Sequence, residues 1–271
     1  SARGLEAHVV PRTALARLRE FDAVLLRVPT DPENAAFAWS RAAELHGIPV
    51  LDDSRSILVC SDKVHMQGRL ALRGVATPCT VVLRRADVTR DTAAAILADL
   101  GPEVVLKAPH SSFSSHVEKV RTPDDFLRVG DRFLRRSDRL VVQEFVRSEF
   151  DWRVGVLAGV PLYACRYRIP KGTFKILDVV DGEEVVCWTE GVPLGDVPPA
   201  VMRAALDAAA AIGGGLYGVD LKDAGDRVVV IEVNDNPTIG AGLEDQCAPD
   251  LYDRIVAHLA REREPAAVPA R

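Results

Sequence analysis

The chain has 271 residues, 48% of them hydrophobic and 27% charged, with 34 Lys plus Arg against 39 Asp plus Glu for a formal charge of −5. That length buries one substantial core or two to three small, joined ones, and the mildly acidic balance gives no general reason to expect nucleic acid as a partner. Five dispersed cysteines without a Cys-x-x-Cys pair argue against a zinc site, and no apolar run reaches membrane-spanning length and no charged leader opens the chain, so a soluble cytoplasmic protein without a membrane partner is expected.

Residues 4–10 read as a strand of an α/β layer whose first strand and helix are missing, either because an upstream segment is absent or because the subdomain is abbreviated. Residues 24–28 form an apolar run suited to a buried strand. Asp31-Pro32-Glu33 then offers a cap, a first-turn proline and an early negative charge for a helix to about Leu45. Residues 48–51 supply another strand, and strand–helix–strand in this rhythm implies parallel pairing. Ser61-Asp62-Lys63 opens a helix to about Leu72, and residues 80–83 follow as a strand. Residues 91–100 read as helix, 104–106 as a short strand running into Lys107, 124–133 as helix and 140–145 as strand. Residues 153–158 and 161–166 flank Gly159 as an antiparallel hairpin. Residues 199–212 form an alanine-rich helix with Val201, Leu206, Ala209 and Ile212 on its apolar stripe. Residues 217–221 and 228–233 make a second hairpin, 251–264 a terminal helix, and 265–271 a frayed tail.

The chemistry concentrates in Val228 to Pro237, a strand whose far end turns polar. Successive strand side chains point to opposite faces, so Glu232 and Asn234 share one and Asp235 points away. A carboxylate and an amide oxygen side by side are hard ligands suited to magnesium. An ordinary strand entering an Asn-Asp-Asn-Pro turn has the same residues, and the other motifs decide between the two readings. Asp151-Trp152-Arg153-Val154-Gly155-Val156-Leu157, Leu216-Tyr217-Gly218-Val219-Asp220-Leu221-Lys222, Ile231 to Pro237 and Gly242-Leu243-Glu244-Asp245 occur in that order, with about a dozen residues from Asp220 to Glu232. From about residue 20 to 262 the chain resembles the RimK-like branch of the ATP-grasp superfamily, which are carboxylate–amine ligases.

The resemblance implies an α+β ATP-grasp fold in which two α+β lobes clasp ATP behind a small parallel α/β N-terminal subdomain. The expected divisions are 1–60 for that subdomain, 61–141 for the first lobe, 142–264 for the second lobe with the metal site, and 265–271 for the tail. Lys63 and Lys107 become candidate phosphate contacts, compact charges that suit α and β phosphates. Backbone groups of Glu144, Phe145 and Val146, in the segment Gln143 to Val146, border the adenine, and Glu149 or Asp151 takes the ribose. Ser112, Ser114 and His116 belong to the loop over the phosphates, where small residues and backbone N–H groups grip anions. His116 and Ser114 both stand where related ligases carry glycine, which leaves three roles open for His116: phosphate cap, substrate contact or plain loop residue. Asp220, Glu232 and Asn234 are the implied metal set, holding two Mg²⁺ ions, with Mn²⁺ as a substitute. Arg153, Arg166 and Lys175 are candidates to stabilise charge on the reacting oxygens. Where glutamate-attaching relatives show Phe-Arg-x-Asn, this chain has Phe174-Lys175-Ile176-Leu177, which argues against assuming glutamate as substrate.

The function so implied is formation of an amide or peptide bond through an acyl phosphate, from a small-molecule or peptide carboxylate and an amino-acid-like amine, with a homodimer compatible with the resemblance. Another ATP-dependent acyl or phosphoryl transferase of this fold, or a non-catalytic ATP-binding module, is the alternative.

Overall fold

The computed structural model describes residues 5–110, 116–169, 174, 177–180 and 183–262. Ser112, Ser114, Lys175 and the expected tail lie outside them.

The N-terminal part holds β1 (Val24–Leu25) and β2 (Val50–Leu51), paired in parallel with Val24 opposite Val50, and α1 (Ala35–Leu45) between them. The parallel crossover matches the sequence reading, but the cap differs. Asn34 accepts from the N–H groups of Ala36 and Phe37, while Asp31 folds into a local turn by accepting from the Glu33 N–H at 2.8 Å. Residues 5–10 are not a strand. Among the described residues β1 pairs with β2 alone, and residues 5–10 add to neither open edge of that sheet; Val9 is fully exposed. A further helix, α2 (Ser54–Cys60), capped by Asp53, precedes α3 (Lys63–Leu72), capped by Asp62.

A four-stranded antiparallel sheet follows, ordered β3 (Thr80–Arg84), β6 (Arg139–Glu144), β4 (Val104–Lys107) and β5 (Val117–Val120). One face packs on α4 (Arg90–Leu100) and α5 (Pro123–Leu134): Val104, Leu106, Leu140 and Val142 meet Ile96, Phe126, Val129 and Phe133 in a closed core. Alternation sends Val105, Lys107 and Gln143 to the other face. The sequence did not mark β5, because Val-Glu-Lys-Val is too short and too charged to stand out.

The second sheet has five antiparallel strands, ordered β11 (Trp188–Gly191), β8 (Val160–Arg168), β7 (Asp151–Leu157), β12 (Leu216–Asp223) and β13 (Val228–Asn234). Between β8 and β11 lies a hairpin of β9 (Leu177–Val180) and β10 (Glu183–Val186). The back face of the large sheet buries Trp152, Val154, Val219, Leu221 and Val230 against α6 (Pro199–Ile212) and, through Met66 and Leu70, against α3. α7 (Leu251–Glu262) covers part of the front through Leu251 and Ile255. Among the described residues no helix is long and apolar enough to cross a membrane.

Gly155 shows how tightly the front face is packed. A Cβ there meets the Tyr163 ring at 2.0 Å. Gly155→Ala is therefore expected to destabilise the chain by at least about 1–3 kcal/mol, read as a lower midpoint in urea unfolding.

Candidate active site

The two sheets face each other across a cavity of about 640 Å³, within the range of small-molecule sites. Strand register builds its larger wall in rows. Arg153, Asp220 and Glu232 are direct partners across β7, β12 and β13. Two residues toward the segment that joins the sheets, Asp151 partners Lys222; two residues the other way, Gly155, Gly218 and Asn234 form the next row. Period-two alternation aims all of these to the front. The glycines of the third row make room for packed neighbours: a Cβ on Gly155 meets the Tyr163 ring and one on Gly218 meets Pro237 at 2.6 Å.

Asp220 is the centre of the wall. Arg153 donates to both of its oxygens at 2.7 Å, and the Asn234 amide donates to Oδ2 at 3.1 Å. Burial holds the Asp220 carboxyl above its ordinary range, and the two charge-assisted bonds from the Arg153 fork oppose that rise. Glu232 lies beside it, with Lys63 Nζ at 3.2 Å. Burial alone raises a carboxyl, but Lys63 and Lys107 outweigh it and hold Glu232 below the usual range. Lys63 reaches it from the first residue of α3, so the start of that helix is tied to the sheet.

Lys107 comes from the opposite wall. Its Nζ donates to Gln143 Oε1 at 2.7 Å, and Gln143 donates onward to Thr80 at 3.1 Å. Burial pulls the Lys107 ammonium down to about 8, against the pull of Glu232. A phosphate held by the ammonium therefore has to restore a proton above that pH. Nucleotide affinity is expected to fall by up to about tenfold per pH unit above about 8. Lys107→Arg, always charged, flattens that slope; binding titrations from neutral to alkaline pH read it.

The connecting segment closes one end. Glu144 is held by Arg227 and by the Cys79 N–H, and Phe145 and Val146 line the cavity with Phe174, whose ring meets Phe145 edge-on at 6.0 Å. Lys119 Nζ lies 4.2 Å from the Phe145 ring centroid. Asp151 is bound by Lys222 and by the Ser148 hydroxyl at 3.0 Å. His116 lines the cavity with its ring against Phe133, and Arg136 donates to its Nε2 at 3.3 Å.

Of the predicted residues, Lys63, Lys107, His116, Gln143, Glu144, Phe145, Val146, Asp151, Arg153, Asp220, Glu232 and Asn234 all line this one cavity. Arg166 does not. It partners Trp152 across β7 and β8, so it shares the back face, and its guanidinium lies 4.7 Å from the rings of both Phe150 and Trp152. Reading the sequence also passed over Lys222, one strand period from Asp220, and over Tyr167 and Glu244. The Tyr167 hydroxyl donates to Glu244 at 2.8 Å, and Arg153 lies over the Tyr167 ring. The tyrosine had a signal, because it is one strand period from Cys165, the partner of Arg153. Glu244 had only its motif.

Two carboxylates and one carboxamide oxygen on adjacent strands are a donor set suited to a hard divalent cation. Among the described residues no grouping of three or more His, Cys, Asp or Glu side chains is arranged to hold one; the set here relies on an amide for its third oxygen.

No family model matches the chain. It aligns at 28% identity over 252 residues with a probable α-L-glutamate ligase of Thioalkalivibrio sulfidiphilus, covering 92% of this chain and 79% of that one. A protein of the same description from Xanthomonas oryzae pv. oryzae is 28% identical over 242 residues, 88% of this chain and 78% of the relative. Among solved structures, a D-alanine–D-alanine ligase from Bacillus anthracis superposes with a TM-score of 0.74 at 18% identity, over 93% of this chain and 83% of that one. A D-cycloserine synthetase does so with 0.71 at 19%, over 91% and 86%. Relatives by sequence and neighbours by shape point the same way: over most of its length the chain is similar to probable α-L-glutamate ligases, and it shares the fold of the D-alanine–D-alanine ligase and D-cycloserine synthetase structures.

Proposed function

We propose that this chain uses ATP to join a carboxylate to an amine, with the acid activated as an acyl phosphate. The observation that carries the reading is the cross-strand row Arg153–Asp220–Glu232 facing Lys107 over a cavity of nucleotide size. The adenine end is lined by Phe145, Val146 and Phe174, and apolar side chains there give the base stacking area. Lys63 and Lys107 offer point charges to phosphate oxygens. Asp220, Glu232 and the Asn234 carboxamide oxygen would hold Mg²⁺, whose contribution is to neutralise charge on the phosphate oxygens.

The reaction needs no protein nucleophile. A substrate carboxylate attacks the γ phosphorus, ADP leaves, and the amine then attacks the activated carbonyl and expels phosphate. Arg153 is the guanidinium of the row, and its planar fork suits the oxygens of a transferring phosphoryl group. Catalysis rests on placing the reactants and on fixed charge where oxygens gain charge. Enclosure between the sheets keeps water from the acyl phosphate.

The test is phosphate release from ATP and Mg²⁺ over a matrix of carboxylates and amines. Stimulation that needs both partners supports the reading; ADP formation indifferent to every amine contradicts it.

A further inference from the structure

Three strands of the smaller sheet end at one carboxylate. Val104 partners Val120 of β5 on one side and Glu144 of β6 on the other, so Glu103, one residue before β4, sits between Arg121 and Phe145. Alternation puts it on the same face as Val105, which lines the cavity and has Lys119 as its direct partner on β5.

Glu103 is only 7% exposed and gathers three cations. Arg121 donates to its Oε1 at 2.6 Å, Arg147 donates to its Oε2, and Lys119 Nζ lies 3.5 Å from Oε1. Burial raises the Glu103 carboxyl, but the cations outweigh it and hold it below the usual range. The two arginine side chains are mostly exposed and contribute little by charge alone, whereas that of Lys119 is 21% exposed.

Lys119 is where this cluster meets the cavity wall. Its ammonium lies 4.2 Å from the Phe145 ring centroid and 5.5 Å from that of Phe174, and the Arg147 guanidinium lies 5.6 Å from Phe145. A cation within about 6 Å of an aromatic face is attracted by the ring's quadrupole. Both rings line the cavity, while neither Glu103 nor Lys119 does. A lysine ammonium on its flexible stem has no fixed place of its own, and Glu103 supplies one. Glu144, the neighbour of Phe145, is tied the other way, to Arg227 in the last hairpin of the larger sheet. Phe145 therefore stands between two anchors.

We propose that Glu103 is a positioning residue for the nucleobase: it anchors Lys119 against Phe145 and Phe174 and so holds the aromatic wall in the orientation that receives the base. The proposal rests on the nucleotide reading above, which assigns the base to these rings. Glu103 acts through Lys119 and touches no reactant.

The test is a calorimetric titration of the whole chain with MgADP, beside inorganic tripolyphosphate with Mg²⁺ as a probe that has no base. Glu103→Gln and Lys119→Met, which keeps the stem and removes the charge, each weaken MgADP by about three- to tenfold and leave tripolyphosphate unchanged. Lys119→Arg, which keeps a cation over the ring, binds MgADP like the parent. Urea unfolding shows which variants are folded, and Lys119→Met decides if Glu103→Gln is not. The proposal is overturned if the folded variants bind MgADP like the parent, if they lose tripolyphosphate as much as MgADP, or if Lys119→Arg loses as much as Lys119→Met. A parent chain that binds no MgADP overturns it together with the nucleotide reading; a parent that binds MgADP, with variants that bind it equally well, overturns it alone.

Discussion

Glu232→Gln lowers acid- and amine-dependent phosphate release by about 10²–10³-fold, the range seen when one preorganised electrostatic partner of a reacting oxygen is lost. Glu232 is the counter-charge to Lys63 at 3.2 Å, and it holds both Lys63 and Lys107 toward the same point. Its amide keeps the shape and removes the charge. Two lysines then face each other across the cavity without the carboxylate between them, and Lys107 gives up its proton more readily. Phosphate release at saturating nucleotide reads the loss, and urea unfolding shows whether the variant is folded.

Arg153→Met destabilises the chain by about 3–5 kcal/mol, because it strands a buried carboxylate. The side chains of Arg153 and Asp220 are 11% and 12% exposed, and no other described cation pairs with Asp220. Removing both charges is expected to be milder than removing one. Arg153→Met combined with Asp220→Asn should recover most of the lost stability in urea unfolding, while turnover stays lost. A double variant no more stable than Arg153→Met alone would mean that the ion pair does not hold this wall together.

Period-two arithmetic on ten residues is enough to place Glu232 and Asn234 on one face, because a strand has no freedom in which side its side chains take. Asp220 joins them because it lies directly opposite Glu232 in the hairpin. Arg166 shows the limit of the same arithmetic. It and Arg168 do share a face, but which face depends on the register of β7 with β8, and that ladder shifts between Gly155 and Val156. One inserted residue reverses every assignment beyond it. Residues 5–10 fail for a different cause: apolar content alone does not make a strand, and this segment pairs with neither open edge of the β1–β2 sheet. The edge strand β11 had no pattern to find, since Trp-Thr-Glu-Gly leaves its tryptophan 64% exposed. The cavity's other acidic residues were the least legible part. Asp31, Asp235 and Glu244 come from separated turns, and only the folded chain brings them to one cavity.

The phosphate site and the activated acid are tested together by hydroxylamine trapping. Hydroxylamine is supplied in place of the amine, with ATP, Mg²⁺ and a panel of carboxylates, and hydroxamate is measured beside ADP. The wild-type chain should form hydroxamate with its acid in step with ADP, and Glu232→Gln should form almost none. ADP produced without hydroxamate for every acid tried would show that no acyl group is activated at the Arg153–Asp220–Glu232 row.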